Sequence, residues 1–456
     1  MRRSLLASCA AVAALAALTR AAHAETLAEA LADAYNNNPQ LLAERALLRA
    51  TDEGVPQALS GWRPTVQFTG SAGFEHQENS PPAPPTFPAE QALRPNTLDL
   101  NVTQPVFNGG RTVALTAQAE KTVEAERARH IAVEETVLLS VAQAYLDVVR
   151  DQATLDLTIN NEQVLRRQLE ATNDQFRVGA VTRTDVAQAE ARLAGATASR
   201  QQAEGNLQVS RANYERSVGH VPAKLDQPTL RPTLPTTRDQ AIALASAKNP
   251  TVIAAIFTED AARDTVDATR GQLLPSLSLV GDALRAEDQQ IKGRTGTSYS
   301  IVARVSVPLY EGGAIYSQTR QATETVGQRL SQTDDARRAA IQGATQAWEQ
   351  VTSGRAQVVS LQSTIRAAEI ALEGVRQEAT VGSRTVLDVL NAEQELFTDR
   401  VQLVTAQHDL ALAEFSLANQ IGRLTAADLK LPVTLYDVDK HYRSVRNKWL
   451  GFGSKQ

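Results

Sequence analysis

Two segments of the chain carry the same polar side chains after a Val-Gly pair: VGAVTRTDV (178–186) and VGSRTVLDV (381–389). In each segment a threonine precedes an aspartate by three residues, which is the spacing of a capping box with aspartate in place of the usual glutamate. The glycine of each pair is the residue type that commonly ends a preceding helix. The pattern predicts two corners between helices, whose polar groups are Thr182, Asp185, Thr385 and Asp388.

The rest of the sequence offers no grouping of residues typical of catalysis. Motifs of the forms GxGxxG, GxxxxGKS/T, HExxH and GxSxG do not occur. The only cysteine, Cys9, lies in the N-terminal leader, so we expect no disulfide and no thiolate chemistry. The five histidines after the leader stand singly, at no spacing typical of metal ligands: His76, His130, His220, His408 and His441. We therefore predict a protein that is not an enzyme and that holds no cofactor or metal.

Composition narrows the class of protein further. The 456 residues include 46 Lys and Arg against 51 Asp and Glu, a net charge of −5. This balance argues against a nucleic-acid partner, because DNA and RNA attract a basic surface. Aromatic residues make up only 4% of the chain, and alanine, glutamine and leucine are frequent. Such a composition is typical of long helices with shallow packing seams.

The N-terminus has the features of an export signal. Residues 1–3 are positively charged, residues 5–18 are apolar, and AHA (22–24) is a cleavage sequence that leaves Glu25 as the first mature residue. A lipoprotein signal is the alternative, because LASC (6–9) has suitable letters, but most of the apolar run follows Cys9 rather than preceding it. We expect an exported protein with no later transmembrane helix.

The remaining chain is duplicated. TLAEALADAYNNNP (26–39) recurs as TRDQAIALASAKNP (237–250), and QPVFNGG (104–110) recurs as VPLYEGG (307–313). Such self-similarity indicates one supersecondary unit that occurs twice. The predicted organisation is a signal peptide at 1–24, a first repeat at 25–232, a second repeat at 233–435, and a polar, basic C-terminal tail at 436–456.

Each repeat contains two segments in which apolar and polar residues alternate. In the segment LDLNVT (98–103), Leu98, Leu100 and Val102 form one face, and YSIVARVSV (299–307) alternates in the same way. The strands that contain these segments are expected to have about nine or ten residues, the length of a tilted membrane strand. A soluble antiparallel sheet with one buried face would give the same alternation. Four prolines are expected at junctions of strand and helix: Pro64, Pro105, Pro275 and Pro308. PPAPPTFP (81–88) is predicted to be a loop in the first repeat alone.

Long helices account for most of the rest. The segment 112–177 contains no proline or glycine and would extend roughly 100 Å as a helix. Its duplicate shows an unbroken 4-3-4-3 spacing of small or apolar residues between Ala340 and Ala379, which is a coiled-coil seam. The corresponding seam in the first repeat is less regular, because Asp151 and Glu162 fall on it. Shorter helices are expected near 40–60 and 185–218.

Four strands per chain cannot close a barrel. If the strands enter a membrane, an open sheet edge would leave backbone groups unpaired in lipid, at a cost of several kcal/mol each. The chain must then oligomerise. Two copies would give eight strands with a filled interior, and three would give twelve strands around a lumen. Export, membrane strands and long helices together suggest a Gram-negative outer membrane and a helical extension into the periplasm.

With these elements in order, the chain resembles the TolC family of outer-membrane channel-tunnels along nearly all of its mature length. The most specific stretch is VGSRTVLDVLNAEQELF (381–397), with its partner FRVGAVTRTDVAQAEARL (176–193). The first of these is most similar to the type I secretion branch of the family. LPSLSL (274–279), VPLYEGG (307–313) and the short helix that ends in Asn-Pro support the resemblance in order and spacing.

The resemblance implies the fold and the partners. The fold class is an α+β membrane protein, a homotrimer with a 12-stranded β-barrel in outer-membrane lipid and an α-helical tunnel of coiled helices in the periplasm. A mixed equatorial region would come from residues near 220–250 and 423–456. A periplasmic adaptor (membrane fusion protein) and an inner-membrane ABC or proton-driven transporter would complete the pathway and supply its energy. The implied function is passive export of proteins, small toxic molecules or both through a gated tunnel.

The resemblance also assigns roles at the two corners. Asp185 and Arg384 match the family's gate pair, and Asp388 and Asn391 match its two acidic rings, so that one ring is neutral here. Ala379 replaces the gate tyrosine, which implies a gate that is looser or held differently. The turns that contact adaptors match Val178, Gly179, Val381 and Gly382. The alternative for both aspartates is helix capping alone. Two alternatives remain for the whole chain, a periplasmic coiled-coil adaptor without a pore and a soluble periplasmic enzyme.

Overall fold

The computed structural model describes residues 24–78 and 89–453. The proline-rich segment 81–88 and all but the last residue of the predicted signal peptide lie outside the described residues. The first repeat contains helices α1 (Leu27–Asn37), α2 (Pro39–Asp52), α3 (Gly54–Leu59), α4 (Arg111–Arg177) and α5 (Arg183–Val218), and strands β1 (Thr65–Ala72), β2 (Glu75–Glu78), β3 (Glu90–Leu93) and β4 (Asn96–Asn108). The second repeat contains α6 (Arg238–Lys248), α7 (Pro250–Arg270), β5 (Ser276–Glu287), β6 (Thr295–Ser306), α8 (Ala314–Thr380) and α9 (Val386–Gln420). The helix α10 (Val438–Val445) lies in the tail.

The two repeats match closely in their local structure. The long helices α4 and α8 each have 67 residues, and the returning helices α5 and α9 have 36 and 35. The α1–α2 and α6–α7 breaks are alike: the side chains of Asn38 and Asn249 each donate to a backbone carbonyl at the end of a returning helix, at 3.0 Å. The repeat boundaries remain a prediction, because both compact units of the chain combine segments from the two repeats.

The predicted membrane strands form one antiparallel sheet in the order β1-β4-β5-β6. Residues directly opposite each other lie on the same face, and Phe68, Leu100, Ala283 and Tyr299 are opposite in succession across the four strands. The apolar residues therefore share one face, as the alternation predicted. Asn101 lies on the other face and is half-buried, whereas Leu100 is exposed.

The prediction that Pro105 lies at a junction of strand and helix is wrong. It lies inside β4, at an irregularity where the register with β5 shifts between Pro105 and Phe107. A bulge of this kind leaves a residue unpaired, so a residue without a backbone N–H is tolerated there. The small sheet β2-β3, which precedes and follows the segment 79–88, was also not predicted.

The coiled-coil seam of α8 is confirmed by burial. Every position of the 4-3-4-3 series from Ala340 to Ala379 is buried or half-buried, whereas most residues between them are exposed. The irregular positions of the first repeat are also buried, and each has a cation beside it. Asp151 lies 2.8 Å from Arg150, and Glu162 lies 2.6 Å from Arg200 of α5. Ion pairing thus replaces apolar packing at these positions of α4.

One helical run within the described residues, 238–273, is long and apolar enough to cross a membrane by length and composition alone. The run is interrupted at Asn249, whose backbone is extended, with φ −60° and ψ 124°. Only a third of its most apolar window is buried. The core helix of a soluble protein also passes such a test, so the expectation that no helix after the leader crosses the membrane stays a prediction.

A buried carboxyl pair on α4 fixes the chain that follows α9. Glu135 accepts a hydrogen bond from the backbone N–H of Leu424 at 3.0 Å, and Glu134 accepts one from Ala426 at 2.8 Å. Burial raises the pKa of Glu135 to about 8, although the bond from Leu424 opposes this rise. The folded chain therefore holds a proton that the unfolded chain releases near pH 4.5.

This shift predicts how stability depends on pH. The carboxyl of Glu135 should cost folding free energy as the pH rises from 4.5 towards 8, so Glu135→Gln should gain stability relative to the parent over that range. We expect a relative gain of at least about 1 kcal/mol at pH 8. Thermal unfolding of both chains at pH 5 and pH 8 measures it, with the exposed Glu170→Gln as control. Parallel pH dependence of parent and Glu135→Gln would contradict the assignment.

The strand register gives a second prediction. Leu100→Arg would place a charge on the apolar face and should cost about 2–4 kcal/mol at the bilayer midplane, which blocks insertion. Asn101→Arg lies on the polar face and should be tolerated. Heat-resistant assembly in outer-membrane fractions measures both changes, and equal tolerance of the two would show that the assigned faces are wrong.

Candidate functional site

The two predicted corners are present and have the same geometry. Gly179 and Gly382 have φ values of +77° and +80°, a conformation that other residues rarely adopt, and they end α4 and α8. The Ala180 N–H bonds back to Gln175 and the Ser383 N–H to Glu378, at 2.9 and 3.0 Å, which closes each helix end. Val178 and Val381 are each 80% exposed beside these glycines, so each corner presents an apolar side chain to its surroundings.

Both predicted capping boxes are confirmed. Asp185 accepts the Thr182 N–H at 2.8 Å, and Asp388 accepts the Thr385 N–H at 3.0 Å. In return, each threonine hydroxyl accepts the backbone N–H of its aspartate, at 3.3 and 3.2 Å. Bonds from the Thr182 hydroxyl and backbone lower the pKa of Asp185, and bonds from the Thr385 backbone and hydroxyl lower that of Asp388. Both carboxylates are therefore charged at neutral pH.

Arg384 does not bond to Asp185 within one chain. Its Nε donates to Glu378 at 2.8 Å, and this bond raises the pKa of the Arg384 guanidinium. Arg384, Asp185 and Ala379 nevertheless line the same open cleft between the corners. Sequence reasoning missed Glu378, although it lies six residues before Arg384 across the Gly382 turn. The resemblance named a partner from another position instead.

Asn391 also has a partner that the sequence did not indicate. Its side-chain oxygen accepts a hydrogen bond from Arg192 of α5 at 2.9 Å, which joins the two returning helices. Asn391 lies one turn after Asp388 on α9. An arginine therefore stands beside the residue that the resemblance assigned to a second, neutral ring.

The corners rest on a small core and on one ion pair whose carboxylate is buried and whose guanidinium is half-exposed. The apolar cluster beneath them contains Leu165 of α4, Ala189 and Ala196 of α5, and Leu390 of α9. Glu393 is 7% exposed and lies 2.9 Å from Arg376 of α8. Removal of one partner of such a pair leaves a buried charge uncompensated. The ends of α4, α5, α8 and α9 are thus held by packing below and by hydrogen bonds at the turns.

One group of side chains in the described residues could hold a metal ion, far along the chain from the corners. Glu25, Asp33 and His220 each place a ligand atom within 4.8 Å of the others. His220 Nε2 lies 3.5 Å from a carboxylate oxygen of each acid, and Glu25 also accepts a hydrogen bond from Tyr214. At these distances the three side chains can interact with one another directly, and the expectation that the chain has no metal site stays a prediction. Sequence spacing could not reveal the group, because His220 lies about 190 residues after the two acids.

The sheet and the long helices are the elements that the resemblance implied, and comparisons with known proteins give the family. The family described as "Outer membrane efflux protein" matches residues 30–220 and 241–423. The chain belongs to this family, which confirms its resemblance to TolC.

Relatives and solved structures agree over nearly the whole chain. The chain is 36% identical over 435 residues to the outer membrane efflux protein BepC of Brucella suis biovar 1 (strain 1330), covering 95% of this chain and 93% of that protein. It is 28% identical to the outer membrane protein TolC of Vibrio cholerae, covering 91% and 95%. The CmeC outer membrane channel of Campylobacter jejuni is 17% identical and has the same fold, with a TM-score of 0.78 over 93% of this chain and 89% of that one.

These findings settle the class of protein. The chain is a non-enzymatic exit duct of the Gram-negative outer membrane, of the efflux and type I secretion type, with a helical part in the periplasm. The two alternatives that the sequence left open, a periplasmic adaptor without a pore and a soluble enzyme, are therefore set aside.

The capping geometry gives a third prediction. Asp185→Ala should free the Thr182 N–H and fray the first turn of α5, and Asp388→Ala should do the same in α9. Amide hydrogen exchange should become several-fold faster in residues 183–187 and 386–390, respectively. Glu190→Ala, one turn further along α5, serves as the control. Unchanged exchange in both aspartate variants would show that the boxes do not stabilise these helices.

Proposed function

We propose that three copies of the chain close a 12-stranded barrel and a helical tunnel, through which cargo leaves the periplasm. The observation that carries this proposal is the open sheet. Within the described residues, β1 pairs only with β4 and β6 pairs only with β5, so both edges are free. An outer-membrane sheet must be closed, and three copies supply twelve strands with room for a lumen.

The two faces of the sheet support this arrangement. Phe68, Tyr299 and Ile301 are 67–81% exposed on the apolar face, which suits contact with lipid. The opposite face carries Thr69, Asn101, Ser300 and similar polar residues, which suits a water-filled lumen. The alternation is therefore that of a membrane barrel whose interior is wet.

We propose that the corners at the ends of α4 and α8 form the gate, with Arg384 and Asp185 as the pair that closes it between neighbouring copies. The Arg384 guanidinium has five N–H donors, and its bond to Glu378 uses Nε. The remaining donors are available to a carboxylate of another copy, and Asp185 lines the same cleft. Glu378 then acts as a positioning residue, which holds the guanidinium in place.

The charge at the proposed gate depends on two positions one turn apart on α9, Asp388 and Asn391. Asp388 would supply one acidic ring, whereas Asn391 is neutral and bonded to Arg192. Three copies of Arg192 beside the neutral ring would reduce the attraction of the entrance for cations. We therefore propose weaker cation selectivity than that of a channel with two acidic rings.

We propose the partners and the cargo from the resemblance to the family and from the exposed residues of the corners. The exposed Val178 and Val381, each beside the glycine of its turn, offer apolar contacts to the tip of a periplasmic adaptor. An inner-membrane ABC or proton-driven transporter would supply the energy, since the chain has no nucleotide-binding motif of its own. The similarity of 381–397 to the type I secretion branch supports protein cargo, and small toxic molecules would use the same passive duct.

Single-channel recordings test the gate. Arg384→Ser removes the clamp and leaves Asp185 close to other carboxylates, so the closed state should lose population and conductance in planar bilayers should rise. Glu378→Gln should raise conductance less, because it removes only the positioning bond. Asp388→Ala should lower the cation selectivity, measured as reversal potential, with little change in conductance.

The capping alternative predicts a different set of results. If the aspartates only cap helices, neither Asp185→Ala nor Asp388→Ala should alter ion selectivity. If Arg384→Ser conducts like the parent in the same lipid and salt, Arg384 is not the clamp, and the substitution of the gate tyrosine by Ala379 would be the place to examine.

A further inference from the structure

The C-terminal loop, residues 448–453, exposes three large apolar side chains in six residues. Trp449 is 64% exposed, Leu450 is 89% exposed, and Phe452 is fully exposed. The tail to which the loop belongs is otherwise polar and basic. Single exposed apolar residues are common on proteins, but adjacent groups of this size usually mark a contact surface.

The loop has a defined conformation. The Lys448 ammonium donates to the carbonyl of Gly453 at 2.6 Å, which closes the loop on itself. Gly451 and Gly453 have φ values of +107° and +104°, which favour glycine. This closure leaves Trp449, Leu450 and Phe452 on the outside.

Contacts before the loop attach it to the rest of its compact unit. The guanidinium of Arg446 lies 2.9 Å from Glu120 of α4, and His441 of α10 lies 2.9 Å from the buried Asp52. Val445, at the end of α10, is fully buried. The direction in which the chain enters the loop is therefore fixed.

Arg63 places the loop at one end of the membrane sheet. Its Nη1 donates to the Lys448 carbonyl at 2.8 Å, and its guanidinium lies 5.1 Å from the centre of the Trp449 ring. Arg63 stands two residues before β1 begins. At the same end, β4 leads into α4 and β6 leads towards α8, so this is the end from which the helices start.

Other apolar side chains are exposed at this end of the sheet. They are Phe107 at the end of β4, Leu274 before β5, and Leu309 and Tyr310 after β6. The loop thus continues a band that begins on the strands themselves. Aromatic residues with nearby basic groups are typical of the layer where a membrane meets water.

We propose that residues 448–453 are an interfacial anchor, which inserts Trp449, Leu450 and Phe452 into the periplasmic leaflet of the outer membrane beside the barrel. Lys448 lies in the loop and the Arg63 guanidinium lies beside Trp449, so the leaflet's anionic phospholipids complement the loop in charge. Arg63 holds the loop level with the end of β1. The anchor depends on the outer-membrane location of the chain and not on the number of copies in the channel.

Fluorescence of Trp449 in full-length protein tests the proposal. The chain has three tryptophans, so Trp62→Phe with Trp348→Phe leaves Trp449 as the only one. The protein is reconstituted in vesicles of phosphatidylethanolamine and phosphatidylglycerol, with or without lipids brominated on the acyl chains. Trp449 should lose most of its emission to the brominated lipid and little to aqueous iodide. A matched chain that retains only Trp348, on α8, should be insensitive to the brominated lipid.

Two outcomes of the quenching experiment would overturn the anchor. Quenching by iodide alone would mean that the loop lies in water, and protection from both quenchers would mean that another copy of the chain covers it. Adding Arg63→Met to the Trp449-only chain should reduce quenching by brominated lipid, because the contacts of Arg63 with Lys448 and Trp449 hold the loop beside the start of β1. The same samples on a gel without heating report the number of copies, so a failed trimer with quenched Trp449 would contradict the proposed assembly and leave the anchor standing.

Discussion

The free edges of β1 and β6 are the constraint on which the structure depends. In the hydrocarbon layer an unpaired backbone N–H or C=O costs several kcal/mol, and no water is present to satisfy it. Each edge strand has several such groups, so the open sheet of one chain is incompatible with its place in the outer membrane. In the assembly that we propose, other copies of the chain supply the missing neighbours. The duplication contributes two hairpins to each chain, and the proposed closure is completed between chains.

The long helices are stabilised by packing along the seams on their surfaces. The second long helix has a seam in which alanine and glycine are interspersed with larger apolar residues, and the small side chains allow neighbouring helices to approach closely. Small side chains bury little area each, so stability depends on length, and α4 and α8 each extend for 67 residues. Where acidic residues interrupt the first seam, an arginine lies beside each one. These ion pairs allow the acidic side chains to be buried at positions where the other seam has apolar residues.

Much of the fold and part of the site could be predicted from the sequence. Periods of two and of three to four residues determine which face of an element is buried, and the strand faces, the seam and both capping boxes follow from spacing within one element. The partners of Arg384 and Asn391 could not be predicted in this way. Glu378 reaches Arg384 only because the turn at Gly382 folds the chain back, and Arg192 reaches Asn391 only because α5 and α9 approach each other. The position of Pro105 depended on a bulge that cross-strand pairing creates.

The compact units show the same limit on a larger scale. Sequence similarity divides the chain into two successive repeats, yet each compact unit combines segments from both. The cause is physical, because long helices carry each repeat through both units and contacts form between repeats at every level. A description by repeats accounts for the origin of the elements, and a description by units accounts for their packing.

Disulfide cross-linking of the two sheet edges tests the closure between chains most directly. Gln67→Cys on β1 and Ser300→Cys on β6 lie on the polar face near the middle of the edge strands, and the mature chain is predicted to contain no other cysteine. Oxidation of the double variant in outer membranes should give covalent species that end at three chains on a denaturing gel, whereas neither single variant should form them. Exclusively monomeric chains, across neighbouring choices of position on both strands, would contradict closure of the barrel between copies.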